Sequence, residues 1–280
     1  RWTSAGGLER RARTFESSSF TDGVALAAID ALTSHASGAV AFLAVRANGD
    51  GETPDLEGLA VWTGDGDGAI ERWPLSGPVP GAPEGAAFVP AVERDDTVAD
   101  PLLVNPAGEV AFVAAFRPAP EEEPTLGLFA PGADGAPRLR FALGDVAPGL
   151  TGKRITWAVP LHLAGDGTLL AFVTAETEAL DEDAAWYLLP PSAPPRLLLR
   201  ASDPIEIVPG DVRSLSVRAL AHDDALTRIA VRLGQSPFEP EAIAVRTVPE
   251  PCVSAAGACA FVAFGLLASR RRAGVPIRSG

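Results

Sequence analysis

Three histidines are among the few residues of this chain whose types could support catalysis or metal binding. His35 and His222 stand at the first position of a turn that recurs along the chain, where small polar side chains usually cap backbone groups. His162 lies between two leucines in a predicted strand, as a half-exposed strand residue would. We therefore expect turn and strand roles for all three, rather than ligation or catalysis.

Two acidic loops could in principle hold a cation. Residues 48–52 (NGDGE) and 64–68 (GDGDG) place oxygen-bearing side chains at alternate positions, a spacing typical of calcium loops. Counted from Asn48, position six is Thr53 instead of glycine and position twelve is Leu59 instead of glutamate, so the EF-hand pattern is incomplete. Asp-Gly pairs are also ordinary hairpin residues. We predict turns and no cofactor, with calcium as the alternative.

Other sequence features argue against enzymatic and nucleic-acid functions. No serine lies in a G-x-S-x-G elbow, and neither H-E-x-x-H nor C-x-x-C is present. Cys252 and Cys259 are both near the C-terminus, so residues 1–247 can form no internal disulfide and no thiolate metal site. The formal net charge of −13 argues against a phosphate-backbone partner. We predict no catalytic residue, no metal site and no enzyme.

The elements that must position these residues repeat along the chain. A turn followed by a strand of alternating apolar residues occurs at 35–44, 105–114 and 165–173, and more weakly at 222–231. A loop, a second strand, a turn, a third strand and a fourth extended segment follow it. Glu121–Glu123 in one of these loops are predicted to be solvated. The signature residues are Phe42, Asn105, Gly108, Phe112, Gly167 and Phe172; with Val231, the three phenylalanines mark spacings of 70, 60 and 59 residues.

Four short strands per unit at a period of about 60 residues predict an all-β fold of tandem β-propeller-like repeats. Trp62, Phe129 and Trp186 recur on the second strands and are predicted to lie in the core. The repeat domain is predicted to cover residues 1–247, with a partial unit at 1–34 and units near 35–104, 105–163, 164–221 and 222–247.

The half-units at the two ends of the repeat domain leave the ring size open. Together they could complete one blade and close a ring of about four. Because the chain opens on Arg1 and contains no methionine, we favour a fragment of a larger ring, which would make this ring incomplete. A β-sandwich array is the remaining alternative.

The repeat pattern resembles known blades. N-x-x-G-x-V-A-F-x-A, as it stands at residues 105–114, resembles the blades of TolB-type propellers and, more closely, the tandem repeats of secreted bacterial proteins. The resemblance covers residues 7–246. It implies a propeller fold and no particular activity, because propellers host many unrelated functions.

Residues 248–280 have a different character. Val248, Pro249, Glu250 and Pro251 precede the uncharged span 252–269, which is followed by Arg270, Arg271 and Arg272. Eighteen residues make ~27 Å of helix, close to the hydrocarbon thickness of a bilayer. We predict a C-terminal transmembrane helix with its arginines in the cytoplasm and residues 1–247 on the far side. A buried helix of the globular domain is the alternative.

This order of tripeptide, apolar span and arginine cluster resembles the PEP-CTERM sorting signal of Gram-negative bacteria. In that family an exosortase recognises the tripeptide and processes the protein for the cell surface or the exopolysaccharide matrix. The Ala- and Gly-rich span is only marginally hydrophobic, which suits a transient segment that is later cleaved. The resemblance implies three partners: an exosortase-type protease, the inner membrane and exopolysaccharide.

The sequence therefore predicts an exported, non-enzymatic binding or structural repeat module of the cell envelope, outer surface or extracellular matrix. Two alternatives stay open. One is an extracellular propeller enzyme acting on polysaccharide, and the other is an envelope protein that stays anchored in the membrane.

Overall fold

The structure is a computed structural model. It describes residues 19–65, 67–89, 101–177, 182–201 and 226, together with the strand residues 2–3, 7–8, 205–208, 211–213, 216–222, 228–234, 242–247 and 265–266. The chain divides into two compact units, Arg1–Arg200 and Ala201–Gly280.

The first unit contains three sheets, preceded by a small pair of strands and a 3-10 helix at Ser19–Thr21. The small pair is β1 (Trp2–Thr3) with β2 (Gly7–Leu8). The first sheet is β3 (Leu26–Ser34), β4 (Val40–Ala47), β5 (Pro54–Gly64) and β6 (Ala69–Pro74). The second sheet is β7 (Ala87–Phe88), β8 (Leu103–Val104), β9 (Val110–Arg117), β10 (Thr125–Pro131) and β11 (Pro137–Ala142). The third sheet is β12 (Arg154–Leu163), β13 (Leu169–Glu176), β14 (Glu182–Leu189) and β15 (Arg196–Arg200).

The second unit contains a two-stranded sheet and a four-stranded sheet. The former is β16 (Ile205–Val208) with β17 (Asp211–Arg213). The latter is β18 (Ser216–His222), β19 (Arg228–Gly234), β20 (Ala242–Thr247) and β21 (Gly265–Leu266). The four-stranded sheets of both units are antiparallel and pair their strands in chain order.

The prediction of an all-β chain is confirmed for the residues that the structure describes, where antiparallel strands are joined by turns and no α-helix occurs. Among those same residues, none form a helix with the length and apolar character that crossing a bilayer requires. The predicted transmembrane span 252–269 lies outside the described residues except for β21, so it stays a prediction.

The sheets group the strands differently from the sequence units. Residues 155–161, the fourth segment of the unit at 105–163, lie in β12, which pairs with β13 of the following unit. Each sheet thus begins one strand before the recurrent turn, because a five-residue turn brings the strand before it directly beside the strand after it. The signature turn is therefore the first hairpin of a sheet.

The second sheet departs from this plan in its first strand. β12 pairs along most of the length of β13, whereas β7 pairs with the end of β9 and β8 with its beginning. The 14 residues between Phe88 and Leu103 include 90–100, which lie outside the described residues. This extra length accounts for most of the difference between the 70 residues that separate Phe42 from Phe112 and the 60 and 59 residues of the later spacings.

Apolar side chains on both faces of the second sheet hold the three sheets together. One core cluster joins the first sheet (Leu43, Val61) to the second (Phe112, Phe129). Another joins the opposite face of the second sheet to the third, where Tyr187 and Leu169 are fully buried. Because side chains alternate along a strand, β9 contributes to both clusters. The sheets therefore stack face to face.

The turn hydrogen bonds correct one alignment made from the sequence. His35, Asn105 and Ala164 each donate their N–H to the carbonyl four residues later, at 2.8, 3.1 and 2.9 Å, so equivalent positions are 70 and 59 residues apart. Ala171, and not Phe172, therefore stands where Phe112 stands. A shift of one residue turns a side chain to the other face, so Phe172 points away from the cluster that contains Ala171.

The same correction applies to the second strands. Phe42 pairs with Trp62 and Phe112 with Phe129, but Ala171 pairs with Tyr187. A β-bulge supports this assignment, because it falls directly before Trp62, Phe129 and Tyr187 in the three sheets. Trp186 is buried as predicted, but it pairs with the half-buried Phe172 on the opposite face. The alignment by aromatic residues was wrong because the aromatic pair of the third sheet lies one residue after Ala171 on the first of these strands and one residue before Tyr187 on the second.

Proline-glycine segments connect consecutive sheets and lie against the sheet that follows. Leu139 donates its N–H to Pro80 O at 2.8 Å, and the Tyr187 hydroxyl donates to Pro148 O at 2.8 Å. Gly81 and Gly149 have φ of +84° and +79°, and a Cβ on either would lie 3.2 Å from atoms of β11 or β15. The predicted equivalence of residues 77–81 and 144–149 is confirmed by these matching contacts.

Replacing Phe129 by alanine tests the packing between the first two sheets. Its ring lies 5.2–6.4 Å from the rings of Phe88, Phe112 and Phe116. We expect Phe129→Ala to lower the free energy of unfolding by about 3–5 kcal/mol, because it opens a cavity in a close-packed cluster. Urea unfolding followed by circular dichroism measures this, and Leu32→Ala, at a side chain that is 72% exposed, should cost less than about 1 kcal/mol. Equal losses in the two variants would contradict the packing.

The chain's single tyrosine gives a direct pH test of the third sheet. Burial raises the pKa of Tyr187 to about 12. Since the folded protein holds this proton more tightly than the unfolded chain, the stability from the neutral phenol is intact below pH ~10 and is lost as the pH rises towards ~12. Absorbance titration of the phenolate should give a pKa near 12 for the native protein and near 10 in urea. A native value near 10 would contradict the burial of Tyr187.

Candidate functional site

The recurrent turns of the first three sheets lie at one end of each sheet, which we call the turn end. In an antiparallel sheet of consecutive strands, the first and third connections fall at the same end. At the turn end the second sheet therefore presents residues 105–109 and 132–136. The glycines of the recurrent turn, Gly38, Gly108 and Gly167, have φ of +97°, +79° and +81°, a conformation that other residues rarely adopt. These turns supply the polar groups of the candidate site.

Asn105 is fully buried at the turn end, and its side chain forms four hydrogen bonds. Its Oδ1 accepts the backbone N–H groups of Ala107 and Glu109, both at 3.0 Å. Its Nδ2 donates to Glu109 Oε2 at 2.6 Å and to the Ala164 carbonyl oxygen of the third sheet at 3.0 Å. The side chain thus fixes its own turn and joins that turn to the next sheet.

The Glu109 side chain fills the space between three turns. Its Oε1 lies 3.1 Å from where a Cβ on Gly135 would be, and its Oε2 lies 3.0 Å from the corresponding point at Gly167. Glycine at these two positions therefore leaves room for the carboxylate. Glu109 and Asn105 together close the turn end between the second and third sheets.

Arg140 forms a second link between the same two sheets. It is the extra residue of the bulge in β11, since Leu128 pairs with Phe141 and Phe129 with Leu139. Its Nη2 donates to the carbonyl oxygens of Pro190 and Ala193 at 3.0 and 2.9 Å. Burial lowers the pKa of Arg140, but an arginine remains a cation at any physiological pH.

The corresponding links are different between the first and second sheets. His35 occupies the position of Asn105, and its Nδ1 lies 3.0 Å from both Ser37 N and Ser37 Oγ in its own turn. Ala39 occupies the position of Glu109 and has no side chain long enough to cross the gap. The bulge residue of β6 is Arg72, which is exposed, in the position of Arg140.

A cleft of about 830 Å³ lies at the turn end between these two sheets. One wall is formed by residues 37–39, 63–65, 68–70 and 72–73, and the other by residues 106–109 and 134–136. Its charged residues are Asp65, Arg72, Glu109 and Asp134. Its volume falls within the ~300–1,000 Å³ of typical ligand sites. The cleft is the candidate functional site.

Comparison with protein-family models, with curated proteins and with solved structures finds no match to this chain. The interpretation of the cleft therefore depends on its own geometry.

The carboxylates of the cleft are partly engaged within their own turns. Asp65 Oδ1 accepts the N–H groups of Asp67 and Gly68 at 2.8 and 3.2 Å. Asp134 forms an ion pair with Arg138 at 2.9 Å, and this hydrogen bond lowers the pKa of the Asp134 carboxyl. The Asp134 group is therefore a carboxylate at neutral pH, and its oxygens can accept further hydrogen bonds from a bound group.

The acidic loops form turns, as predicted. In the loop at 48–52, Asp50 Oδ1 accepts the N–H groups of Glu52 and Thr53 at 2.9 and 3.1 Å. The first of these hydrogen bonds is the main cause that lowers the pKa of Asp50. In the described parts of the chain, no three His, Cys, Asp or Glu residues are grouped so that they could hold a metal ion. Glu121–Glu123 are exposed, which confirms the prediction of a solvated loop.

Two of the three histidines, His35 and His162, lie where the sequence predicted, in a turn and in a strand. His35 begins the first recurrent turn, and His162 is half-buried in β12. His222 is the last residue of β18 and pairs with Ile229, so its alignment with Asn105 was wrong. The signature matched it to a turn because the hairpin from β18 to β19 is one residue longer than the others.

The structure places the remaining predicted residues in two groups. Phe42, Asn105 and Phe112 are buried in the first two sheets, and Gly108 and Gly167 occupy turns with positive φ. The residues of the predicted sorting signal, Val248, Pro249, Glu250, Pro251, Arg270, Arg271 and Arg272, lie outside the described residues.

Sequence reasoning missed three charged residues of the turn end: Arg72 and Glu109, which line the cleft, and Arg140, which links the second and third sheets. Each is a charged residue in or beside a strand, and from the alternation of apolar and polar residues such a position is predicted only to face outwards. Arg72 and Arg140 become equivalent once the bulges are aligned, and bulges leave little trace in sequence. A pairing of Asn105 with Glu109 four residues later was the one available signal.

Replacing Asn105 tests its role in joining two sheets. Asn105→Ala leaves two backbone N–H groups and the Ala164 carbonyl without their partner in a buried region, so we expect a loss of about 2–4 kcal/mol in unfolding free energy. Asn48→Ala is a matched control. Its Nδ2 donates at 3.1 Å to Thr53 Oγ1 and Pro54 O, but on the exposed surface, and the expected loss is below about 1 kcal/mol. Similar losses in chemical denaturation of both variants would refute the role of Asn105.

Proposed function

We propose that this chain is an exported, non-enzymatic binding module whose sheets are blades of a β-propeller-like repeat. The observation that carries the proposal is the face-to-face stacking of three consecutive antiparallel sheets, of four, five and four strands, in the first unit. A single sheet of this kind cannot bury both of its apolar faces, so neighbours in the chain have to cover them. That dependence is the defining property of a propeller blade and of other repeat architectures.

A binding role fits the turn end of the sheets. The strands form a packed framework, and the polar groups that could contact a partner are carried by turns above it. The cleft between the first and second sheets offers carboxylates, an arginine and an open mouth. These groups suit recognition by hydrogen bonds and charge.

The C-terminal residues support export and processing. The tripeptide at 249–251, the uncharged span 252–269 and the arginine cluster 270–272 occur in the order that a sorting signal requires. We propose that this segment directs the protein to the cell surface or extracellular matrix and is removed there by an exosortase-type protease. Exopolysaccharide is a proposed partner of the released module.

The proposal is tested by the mass and location of the protein. We expect the 280-residue chain, preceded by a secretion signal and expressed in an exosortase-bearing Gram-negative host, to lose its tail near Pro251 and appear outside the inner membrane. Intact-mass spectrometry of cell and medium fractions measures both results.

A variant with alanine at Pro249, Glu250 and Pro251 is the matched control, because it keeps the apolar span and the arginines. It should remain uncleaved. A wild-type chain that keeps its full mass in the membrane fraction would refute sorting and favour a permanent anchor.

A further inference from the structure

We propose that the cleft between the first and second sheets binds a basic loop of a partner polypeptide. This inference names the partner class of the binding module proposed above, and it rests on that proposal only for the binding role. It follows from comparing two equivalent gaps at the turn end. The gap between the second and third sheets is closed by side chains of the protein, and the gap between the first and second sheets is open.

The closed place shows which groups these sheets recognise at the turn end. Arg140 donates to two main-chain carbonyl oxygens, those of Pro190 and Ala193, in the turn between β14 and β15. The arginine therefore binds a polypeptide turn through its backbone, without regard to side chains. This contact is part of the fold between the second and third sheets.

Arg72 is the equivalent arginine at the open place. It too is the extra residue of a bulge, since Val61 pairs with Trp73 and Trp62 with Glu71. Arg72 lines the cleft, and among the described residues it has no hydrogen bond or ion pair. Its five donors can take the carbonyl oxygens of an entering loop, as those of Arg140 take the carbonyls of the third sheet.

The acidic residues of the cleft indicate that the partner's loop carries positive charge. The carboxylates of Asp65, Glu109 and Asp134 line the cleft with Arg72. Arg138 pairs with Asp134, so the three carboxylates still exceed the two arginines by one negative charge. Each carboxylate can only accept hydrogen bonds, so the occupant has to supply donors. A lysine or arginine side chain supplies several donors together with the compensating charge.

Apolar surface beside these carboxylates suits the stem of such a side chain. Ile70 lines the cleft and is 43% exposed, and the half-buried Trp73, which directly follows Arg72, lines it too. Lys and Arg pack their methylene groups on apolar surface while the charged end stays among polar groups. Ile70 and the carboxylates together therefore fit a long basic side chain better than a small cation.

The turn at 35–39 explains why this place is open. His35 and Ala39 stand where the second sheet has Asn105 and Glu109, and His35 is hydrogen-bonded within its own turn, whereas Asn105 donates to the next one. The double variant H35N/A39E would install the residues that close the neighbouring gap. It is expected to fill the cleft and to compete with any occupant.

Binding of a blocked hexapeptide of alternating glycine and lysine to the purified 280-residue chain tests the proposal. We expect saturable 1:1 binding by titration calorimetry at low ionic strength, weaker at physiological salt because the charges are partly exposed. A hexapeptide of alternating glycine and glutamate should not bind. Maltoheptaose, a neutral oligosaccharide, should not bind either.

Two variants separate binding in the cleft from general attraction to an acidic protein. Arg72→Gln and H35N/A39E both make the chain more negative, so non-specific attraction would strengthen binding of the basic peptide. The proposal predicts the reverse: roughly tenfold weaker binding for Arg72→Gln, which loses charged hydrogen bonds, and no detectable binding for H35N/A39E. Arg154→Gln removes an exposed arginine whose Nη1 donates to Gly144 O, and it should leave the affinity unchanged.

Several results would overturn the inference. They are the absence of saturable binding, stronger binding in both cleft variants, or binding of maltoheptaose that Arg72→Gln abolishes while the basic peptide is unaffected. The last result would make the cleft a saccharide site. None of them would alter the outcome of the mass and fractionation experiment, so failure of this inference is distinguishable from failure of the export proposal.

Discussion

The hydrogen bond from the buried Asn105 amide to the Ala164 carbonyl is the contact on which the arrangement of the turn end depends. Apolar packing between sheets is strong but non-directional, so by itself it would allow neighbouring sheets to slide or rotate. Asn105 removes that freedom because its amide is satisfied only when the two turns are in one register. Arg140 adds two carbonyl contacts from the next strand pair. Together these contacts tie the third sheet to the second at one place.

The first and second sheets share the packing but lack this constraint. Their cluster contains the fully buried side chains of Phe112, Phe129 and Leu43. The difference lies at the turn end, where His35 and Ala39 stand in the positions of Asn105 and Glu109 and the exposed Arg72 stands in that of Arg140. Packing therefore maintains the stack, and the turn residues decide whether the turn end is closed or open.

Much of the fold could be predicted from the sequence, because alternation of apolar residues and turn glycines report local structure directly. Strand positions near Phe42 and Phe112 followed from that pattern. What failed was register: Phe172 and Trp186 resemble the aromatic pair of the second sheet, but Phe172 follows the equivalent position by one residue and Trp186 precedes it by one. Only hydrogen bonds across the turn and the bulge before Tyr187 reveal the shift. The cleft could not be predicted, because it depends on which charged residues face each other between sheets.

The position of the candidate site has a physical explanation in the repeat itself. If every gap between sheets were closed by residues equivalent to Asn105 and Glu109, the arginines at the bulges would all be hydrogen-bonded to carbonyl oxygens of the protein itself, as Arg140 is. Leaving Arg72 in water costs little, since an exposed guanidinium is well hydrated, whereas an unpaired buried one would be expensive. An open gap is therefore tolerated only where its charges are exposed, and this is the case around Asp65, Arg72 and Asp134. The turn at 35–39 departs from the turn of the second sheet at the exposed cleft, which is where a binding function requires the least change to the rest of the fold.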